Sequence, residues 1–394
     1  MAQTYAVTVI PPQSGHYSVS ANAINNAGAV VGVSYGSPIN NQQPYLYLPG
    51  VGVQPLPFPP GYAFSVPTDI NDAGVIVGYA QTTWSNEGHP IGWRYQGGAF
   101  TMFPADSFAH NINNAGAAVG RTCLNSGFSP NLTCFFLASS DAPPAITTFG
   151  AGSTYPSSNW RFADINDLNQ VVYTGVYAGP LAYLRQPNGT ETALTPPPPP
   201  YVRTFTWAIN NAAEVIGRWE YNIGSQYYSR AFRWTEAGGA EVIGIQNVHV
   251  RPKGINNLGH VVGESGGNES SYLDMWLWTP EQGSVNIEPL IDPELQIIVT
   301  GVTGINDAGQ IIGRGISQIP PAPNVTFILT PNGSVVPGDI DGDGDLDSTD
   351  QMLFVGVLIG TDTDATHVAR ADLTGDGHSD GIDVQPFVNA LIGD

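Results

Sequence analysis

Charged residues, cysteines and long apolar runs are all scarce in this chain of 394 residues. Only 11% of the residues are charged and just 12 are basic, so the sequence has no basic patch of the kind that binds nucleic acid. No run approaches the roughly 18 apolar residues that a membrane-spanning helix needs. HExxH, GxSxG, cysteine–histidine and phosphate-binding glycine-loop motifs do not occur. These absences argue against a nucleic-acid partner, against a membrane span and against the common catalytic classes.

Only two cysteines occur, Cys123 and Cys134, and they flank a loop that contains glycine and proline. An even number at close spacing favours a hairpin disulfide formed in an oxidising compartment. The alternative is a pair of unrelated buried thiols. The first residues, MAQTYAV, have neither the basic nor the apolar region of a signal peptide, so an extracellular or cell-surface location implies a signal peptide outside this sequence.

Glycine and proline are abundant, with 47 and 33 residues, so turns must be frequent and long surface helices few. The net charge of -21 is spread unevenly, because the residues from 338 onward include 13 aspartates and a single arginine. The composition therefore predicts a turn-rich body followed by a short acidic tail.

One motif of ten residues recurs seven times in the body. Its isoleucines are 42 to 53 residues apart, and each is followed by asparagine and by turn-forming residues. This period, with turn residues at fixed offsets, is typical of propeller blades of four strands each. The copies are AINNAGAVVG from Ala23, DINDAGVIVG from Asp69, NINNAGAAVG from Asn111, DINDLNQVVY from Asp164, AINNAAEVIG from Ala208, GINNLGHVVG from Gly254 and GINDAGQIIG from Gly304.

Each repeat predicts a strand, a tight turn, a second strand, an aromatic third strand and a short fourth strand. The seventh repeat has only a weak fourth strand, whereas YAVTVIPP from Tyr5 precedes the first repeat without a partner of its own. We therefore predict an all-β, seven-bladed β-propeller over residues 3–337 whose last blade is closed by the N-terminal strand.

Aspartates recur at the turns of the repeat, in places where other copies carry asparagine. Paired carboxylates can serve acid–base catalysis, but the exchange with asparagine favours turn hydrogen bonding. The residues concerned are Asp69, Asp72, Asp164, Asp167 and Asp307.

The motif IN[ND]xGxVVG with aromatic third strands resembles the HAF repeat of bacterial extracellular proteins. The resemblance covers about residues 5–336, and the fourth copy departs most, with Asn169 at the turn glycine and Tyr173 at the closing glycine. It implies a secreted or cell-surface repeat protein and no defined activity.

Two loops of twelve residues in the tail, 339–350 and 372–383, follow a calcium-binding pattern. Such loops place oxygen ligands at positions 1, 3, 5, 7, 9 and 12, with glycine at position 6. Two Ca²⁺ ions are therefore predicted, with position 7 contributing a backbone carbonyl. The ligands are Asp339, Asp341, Asp343, Asp345, Asp347 and Asp350 in the first loop, and Asp372, Thr374, Asp376, His378, Asp380 and Asp383 in the second.

The tail resembles a type I dockerin, in particular the tails of secreted planctomycete proteins. Two features carry the resemblance: position 12 is aspartate rather than glutamate, and helices follow each loop only on its C-terminal side. The resemblance covers residues 338–394 and implies helices at 351–359 and 384–392. It also implies a protein partner, either a cohesin-like module or another copy of this chain. Ser348 and Thr349 stand at the partner-binding positions 10 and 11, whereas Gly381 and Ile382 depart from them in the second loop.

Aromatic residues cluster in the fifth repeat, in RWEYNIGSQYYSR. Exposed rings on an acidic protein can stack on polysaccharide, which makes Trp219, Tyr221, Tyr227 and Tyr228 candidates for glycan binding. The alternative is that these rings pack against a neighbouring blade.

Three function classes remain open. The first is a calcium-binding scaffold or adhesion protein without catalytic residues, whose propeller presents a binding surface and whose tail provides attachment. The second is a polysaccharide-active glycosidase or lyase carried by a dockerin. The third is a subunit of a self-assembling extracellular fibre or surface layer.

Overall fold

The structure is a computed structural model. It describes residues 4–37, 41–82, 90–126, 129–141, 143–150, 163–175, 181–194, 203–224, 226–246, 249–268, 271–319, 324–332, 338–341, 346–373 and 378–392. The chain divides into two compact units, Ala6–Leu329 and Met1–Tyr5 with Thr330–Asp394.

The first unit contains seven four-stranded sheets, and in six of them all successive strands of the chain are antiparallel neighbours. Blade 1 comprises β2 (His16–Ile24), β3 (Val30–Gly36), β4 (Gln42–Leu48) and β5 (Gly52–Pro55). Blade 2 comprises β6 (Phe64–Ile70), β7 (Ile76–Gln81), β8 (Ile91–Gln96) and β9 (Ala99–Ala105). Blade 3 comprises β10 (Ser107–Ile112), β11 (Ala118–Ser126), β12 (Ser129–Ala138) and β13 (Ile146–Phe149).

Blades 4 to 6 repeat the same order. Blade 4 comprises β14 (Ala163–Ile165), β15 (Val171–Gly175), β16 (Leu181–Arg185) and β17 (Glu191–Leu194). Blade 5 comprises β18 (Arg203–Ile209), β19 (Val215–Ile223), β20 (Gln226–Thr235) and β21 (Gly239–Ile243). Blade 6 comprises β22 (His249–Ile255), β23 (Val261–Asn268), β24 (Ser271–Thr279) and β25 (Gly283–Asn286), and two short 3₁₀ turns, Glu288–Leu290 and Pro293–Leu295, follow it.

Blade 7 combines both ends of the repeat region. Its strands are β26 (Ile297–Ile305), β27 (Ile311–Ser317) and β28 (Asn324–Pro331), and β1 (Tyr5–Ile10) pairs beside β28. The predicted seven-bladed propeller is thus confirmed, and the N-terminal strand takes the place in the seventh sheet that the sequence predicted for it.

The turn after the first strand of each blade needs one residue with a left-handed backbone. That residue has a φ angle between 58° and 82° in every blade. Five of the seven are glycine, which adopts this conformation without steric cost. The residues are Gly28, Gly74, Gly116, Asn169, Ala213, Gly259 and Gly309.

The glycine that closes the repeat is required by packing rather than by backbone angle. A Cβ added there would lie 1.8 to 2.6 Å from a carbonyl oxygen of the first strand and 2.1 to 2.9 Å from an aromatic ring of the third strand. The glycines are Gly32, Gly78, Gly120, Gly217, Gly263 and Gly313. In blade 4 Tyr173 stands at this place, and its ring packs instead on Phe135 and Phe149 of blade 3. The third-strand ring opposite it, Tyr183, is retained and stacks on Tyr173 with centroids 5.3 Å apart.

A closed ring of asparagine side chains joins the seven blades. The first asparagine of each repeat donates from Nδ2 to the carbonyl oxygen of the equivalent asparagine in the next blade, at 2.9 or 3.0 Å. Its Oδ1 accepts the backbone N–H four residues later, which fixes its own turn. We call this the inner ring; its members are Asn25, Asn71, Asn113, Asn166, Asn210, Asn256 and Asn306. The inner ring links the turns at the ends of the seven first strands and closes on itself. The first strand of every blade must therefore face the central axis.

The described residues of the tail unit form three helices, α1 (Ser348–Leu358), α2 (Ala365–Ala371) and α3 (Val384–Ile392). Stacked rings of Phe354 and Phe387, with centroids 4.0 Å apart, join α1 to α3 at the centre of a small core. Two helices lie where the sequence predicted them, except that α1 begins three residues earlier and ends one residue earlier. The seven residues of α2 were not predicted, because they are too few to show a helical period.

Candidate functional site

Three carboxylates of the first predicted calcium loop converge in the tail. One oxygen from each of Asp339, Asp341 and Asp350 lies within 4.8 Å of the other two. Asp339 and Asp350 are each only 1% exposed. Burying several carboxylates together is unfavourable unless a cation neutralises them, and an all-oxygen set suits a hard cation such as Ca²⁺. The residues present therefore fit the predicted ion. Asp343 and Asp345 lie outside the described residues.

Asp350 is held in place by the start of α1. Its Oδ1 accepts the N–H of Ile340 at 2.7 Å, and its Oδ2 accepts the N–H of Asp347 at 2.8 Å. Asp347 in turn caps the helix by accepting the N–H of Thr349 at 2.6 Å, and this bond lowers the pKa of the Asp347 carboxyl. Position 12 of the loop is therefore also the N3 position of a capping box that begins at Asp347.

The second loop repeats this geometry. Asp383 is fully buried and accepts the N–H of Asp380 at 2.9 Å, while Asp380 accepts the N–H of Ile382 at 2.9 Å. Asp372 and His378 are also described, whereas Thr374 and Asp376 lie outside the described residues. Binding of a second ion here stays a prediction.

Apolar side chains remain exposed on two helices of the tail. Met352, Val355 and Ile359 lie three and four residues apart and therefore share one face of the α1 segment. On α3, Val384, Val388 and Ile392 share a face in the same way. We call these six residues the apolar stripes. Ser348, at the start of α1, is exposed, and Thr349 beside it is half-buried.

A second ring of side chains, more exposed than the inner ring, is formed by the next residue of each repeat. The second turn residue of each blade donates its backbone N–H to the side-chain Oδ1 of its equivalent in the next blade, at 2.7 to 2.9 Å. We call this the outer ring; its members are Asn26, Asp72, Asn114, Asp167, Asn211, Asn257 and Asp307.

Amides of the outer ring separate its three carboxylates. The Oδ2 atom of each aspartate accepts two hydrogen bonds from the Nδ2 groups of the asparagines on either side. Asn211 and Asn257 are the only two neighbours in the ring that are of the same residue type. The repeated aspartates accept hydrogen bonds as expected, but the donors lie in the neighbouring blades and not in the aspartates' own turns.

Asp69 and Asp164 extend this network along the axis. Each accepts the N–H of the following isoleucine and of an isoleucine in the next blade, Ile112 for Asp69 and Ile209 for Asp164. Burial raises the pKa of Asp69 to about 8 and that of Asp164 to about 7, although these N–H bonds act in the opposite direction.

A cavity of about 940 Å³ lies beyond the rings, along the first strands. In six blades the first strand carries a β-bulge, and the bulged residue lines this cavity. A bulge redirects a side chain that regular alternation would place elsewhere. The residues so directed are Asn22, Thr68, His110, Trp207, Lys253 and Thr303. Burial lowers the pKa of His110 to about 3, so this imidazole is neutral at pH 7.

The aromatic cluster of the fifth repeat lies on β19 and β20 and is largely packed inside the propeller. Trp219 and Tyr221 are buried, with Trp219 stacked on Phe232. Tyr228 stacks on Tyr221. Tyr227 stacks on His249 of blade 6. Only Tyr227 and Tyr228 keep partial exposure, so glycan binding at this cluster stays a prediction that rests on these two rings.

Strands β11 and β12 carry the two cysteines. The pairing register sets Thr122 opposite Cys134 and Cys123 opposite Thr133. Cys134 is buried, whereas the side chain of Cys123 lies outside the described residues, so the disulfide stays a prediction. Within the part of the chain that the structure describes, no helix is both long and apolar enough to cross a membrane.

Comparison with known proteins identifies no family. No protein-family model matches this chain. No curated protein sequence matches it. Among solved structures it is similar to the acylaminoacyl peptidase of Pyrococcus horikoshii, with 13% identity and a TM-score of 0.51 over 81% of this chain and 52% of that one. It also matches the extracellular domain of a one-component system of B. thetaiotaomicron, with 13% identity and a TM-score of 0.48 over 87% of this chain and 42% of that one.

A fungal alcohol oxidase solved with copper gives 11% identity and a TM-score of 0.49 over 88% of this chain and 79% of that one. This chain spans about half the length of the first two proteins. At such identities, similarity concerns the fold alone, and function has to be argued from the sites of this chain.

Proposed function

We propose that this protein is a secreted or cell-surface calcium-binding scaffold whose tail attaches a propeller to a protein partner. The convergence of Asp339, Asp341 and Asp350 carries the proposal, because three carboxylates, two of them buried, come within reach of a single cation. The tail would then be a dockerin-like pair of calcium loops, and the body a HAF-repeat propeller, as both motifs resemble.

Calcium has a direct structural consequence in this arrangement. Asp350 would bind the ion with its carboxylate while that carboxylate also fixes the start of α1. Helices as short as α1 and α3 are marginal alone, so ion binding and folding of the tail should be coupled. A single ion site at a hundred times its Kd stabilises the folded state by about 2.7 kcal/mol.

Attachment is supported by the apolar stripes. Six apolar side chains exposed on two helices of a small acidic unit resemble the helix-in-groove class of binding surface. Ser348 lies at the start of the helix that carries one stripe. A cohesin-like module that covers this face is the partner that the dockerin resemblance favours.

The calcium assignment is tested on the full chain by titration calorimetry and by hydrogen exchange in residues 338–392. We expect two bound Ca²⁺ ions per chain and faster exchange after EDTA. Asp339→Asn should weaken one site by about tenfold or more, because loop affinity follows the number of charged ligands. Asp364→Asn lies in the same unit but outside both loops, and it should leave both sites unchanged. Unchanged exchange after EDTA would show that the metal assignment is wrong.

Attachment is tested with Val355→Glu, which places a charge in the stripe of α1 without touching a predicted ligand. Sedimentation of the full chain with Ca²⁺ or EDTA detects docking of one copy on another, and immobilised cohesin modules detect docking on a second protein. We expect calcium-dependent binding to a cohesin module that Val355→Glu abolishes at unchanged calcium affinity. Binding that survives both EDTA and Val355→Glu would contradict attachment through the stripes.

A further inference from the structure

Lys253 is the only lysine in the chain, and it lines the central cavity. It stands at the bulge between Pro252 and Gly254 on β22, which faces the axis of the propeller. A lysine normally lies at the surface, where water solvates its ammonium group. Its place in the cavity therefore requires partners there.

Two such partners are present. The Nζ atom of Lys253 lies 3.0 Å from Oε2 of Glu264, a carboxylate that is 7% exposed. The same Nζ lies 5.6 Å from the centroid of the Trp207 ring. An ammonium group has three donors, and Glu264 takes one of them. The lysine is thus held at a fixed point beside an aromatic plane.

Arg314 brings a second cation to the same place. A Cβ added to Gly301 would lie 2.7 Å from Nε of Arg314 and 3.2 Å from Oε1 of Glu264, so this glycine leaves the space that the two side chains share. Arg314 and Lys253 approach Glu264 from blade 7 and blade 6. With two cations, one carboxylate and a neutral His110, the cavity lining carries a net charge of about +1.

This positive charge contrasts with the rest of the molecule. The chain carries a net charge of -21, and the three aspartates of the outer ring lie at the other end of the axis. Fields of this kind concentrate anions where the sign is reversed and the walls are of low dielectric. Amide and hydroxyl side chains, including Asn22, Thr68 and Asn324, make up much of the remaining lining. The volume of about 940 Å³ lies within the range of small-molecule sites.

We propose that this cavity binds a saccharide that carries carboxylate groups, such as an oligosaccharide of uronic acids. Lys253 and Arg314 bind its carboxylates, because charge-assisted hydrogen bonds of this type are stronger than those between neutral groups. Trp207 provides an apolar plane for a sugar ring, and the surrounding amides and hydroxyls bind sugar hydroxyls. The inference goes beyond attachment through the tail and does not depend on calcium.

The single lysine gives a direct assay. Acetylation with a limiting amine reagent modifies only Lys253 and the N-terminal amine, and peptide mass spectrometry separates the two. We expect oligogalacturonate or oligoglucuronate to slow acetylation of Lys253 in the unmodified full chain, in Ca²⁺ and in EDTA alike. Neutral gluco-oligosaccharides of equal length should not slow it. Acetylation at one rate with and without every uronate would overturn the proposal.

Calorimetry with variants assigns the roles. Lys253→Gln and Trp207→Ala should each weaken uronate binding by about tenfold or more. Arg185→Gln, a surface cation paired with Glu191, is the matched control and should bind as the unmodified protein does. If Lys253→Gln fails to fold because Glu264 is left unpaired, Lys253→Met with Glu264→Gln removes both charges together. Equal binding of neutral and acidic oligosaccharides, or full binding by the folded variants, would contradict the proposal.

Discussion

The inner ring allows a sharp test of what holds the propeller closed. Asn25→Ala removes two side-chain bonds, one from Nδ2 to the carbonyl oxygen of Asn71 and one from the N–H of Ala29 to Oδ1. Asn26→Ala, at the next residue, removes three side-chain bonds of the outer ring, to Asp72 and Asp307. The substitution is the same in both variants, and the second one loses more bonds.

Burial reverses the expected order of the two effects. Asn25 and Ala29 are both 5% exposed, so the N–H of Ala29 loses its acceptor where water cannot replace it. The carbonyl of Asn71 keeps a second donor, the N–H of Gly74. One unsatisfied buried group and one lost bond together cost about 2–3 kcal/mol. The bonds of Asn26 are exposed, water replaces them, and their loss costs about 1 kcal/mol or less.

Urea unfolding followed by tryptophan fluorescence measures this difference. All eight tryptophans lie between residues 84 and 278, so the signal reports on the propeller and not on the tail. We expect the free energy of unfolding to fall by at least about 1 kcal/mol more for Asn25→Ala than for Asn26→Ala. Equal losses, or a larger loss for Asn26→Ala, would refute the view that the buried ring holds the blades together.

Two further predictions concern the same strands and turns. Ala213 has a φ angle of 59°, a conformation that costs an L-residue about 1–2 kcal/mol. Ala213→Gly should therefore raise the free energy of unfolding by about 0.5–1 kcal/mol in the same urea assay. A loss of stability would contradict this prediction. The folded-state pKa of Asp69, about 8, exceeds its ordinary value of 3.8, so between these values the folded state binds more protons than the unfolded state. The stability that this group contributes is therefore complete below about pH 4 and is lost as the pH rises through about 8. Asp69→Asn should flatten the fall in the free energy of unfolding between about pH 5 and 8. Parallel pH profiles of the two proteins would contradict the raised pKa of Asp69.

The repeat made the number of blades, the turns and most strands predictable, because its information is local. Asn25 and its equivalents were recognised as turn formers. Their bonds to the next blade were not, since the partner of Asn25 is 46 residues away. The convergence of Asp339, Asp341 and Asp350 could be expected for the same local reason, since the spacing of the loop brings these residues together, whereas calcium binding stays a prediction. The role of Asp350 in capping α1 was not foreseen, although its spacing from Asp347 is that of a capping box.

The cavity shows what local patterns cannot give. Regular alternation would place Lys253 on the same face as Arg251 and Ile255, and only the bulge turns it toward the axis. One signal was available, since Lys253 is the only lysine and the equivalent positions hold polar residues such as Asn22, Thr68 and Thr303. Trp219 was a candidate for an exposed ring, but β19 continues to Ile223, further than the repeat suggests. The ring therefore became part of the core.

The two rings around the axis respond differently to the number of blades. In the inner ring every asparagine donates to the next blade and accepts from the previous one. A propeller with one blade more or fewer would therefore still give every donor an acceptor. The outer ring alternates amide and carboxylate, and strict alternation around a circle requires an even number. Seven blades force one like pair, and two amides repel less than two carboxylates would, so the pair is Asn211 and Asn257. The odd number of blades therefore accounts for the single contact between two asparagines in this ring.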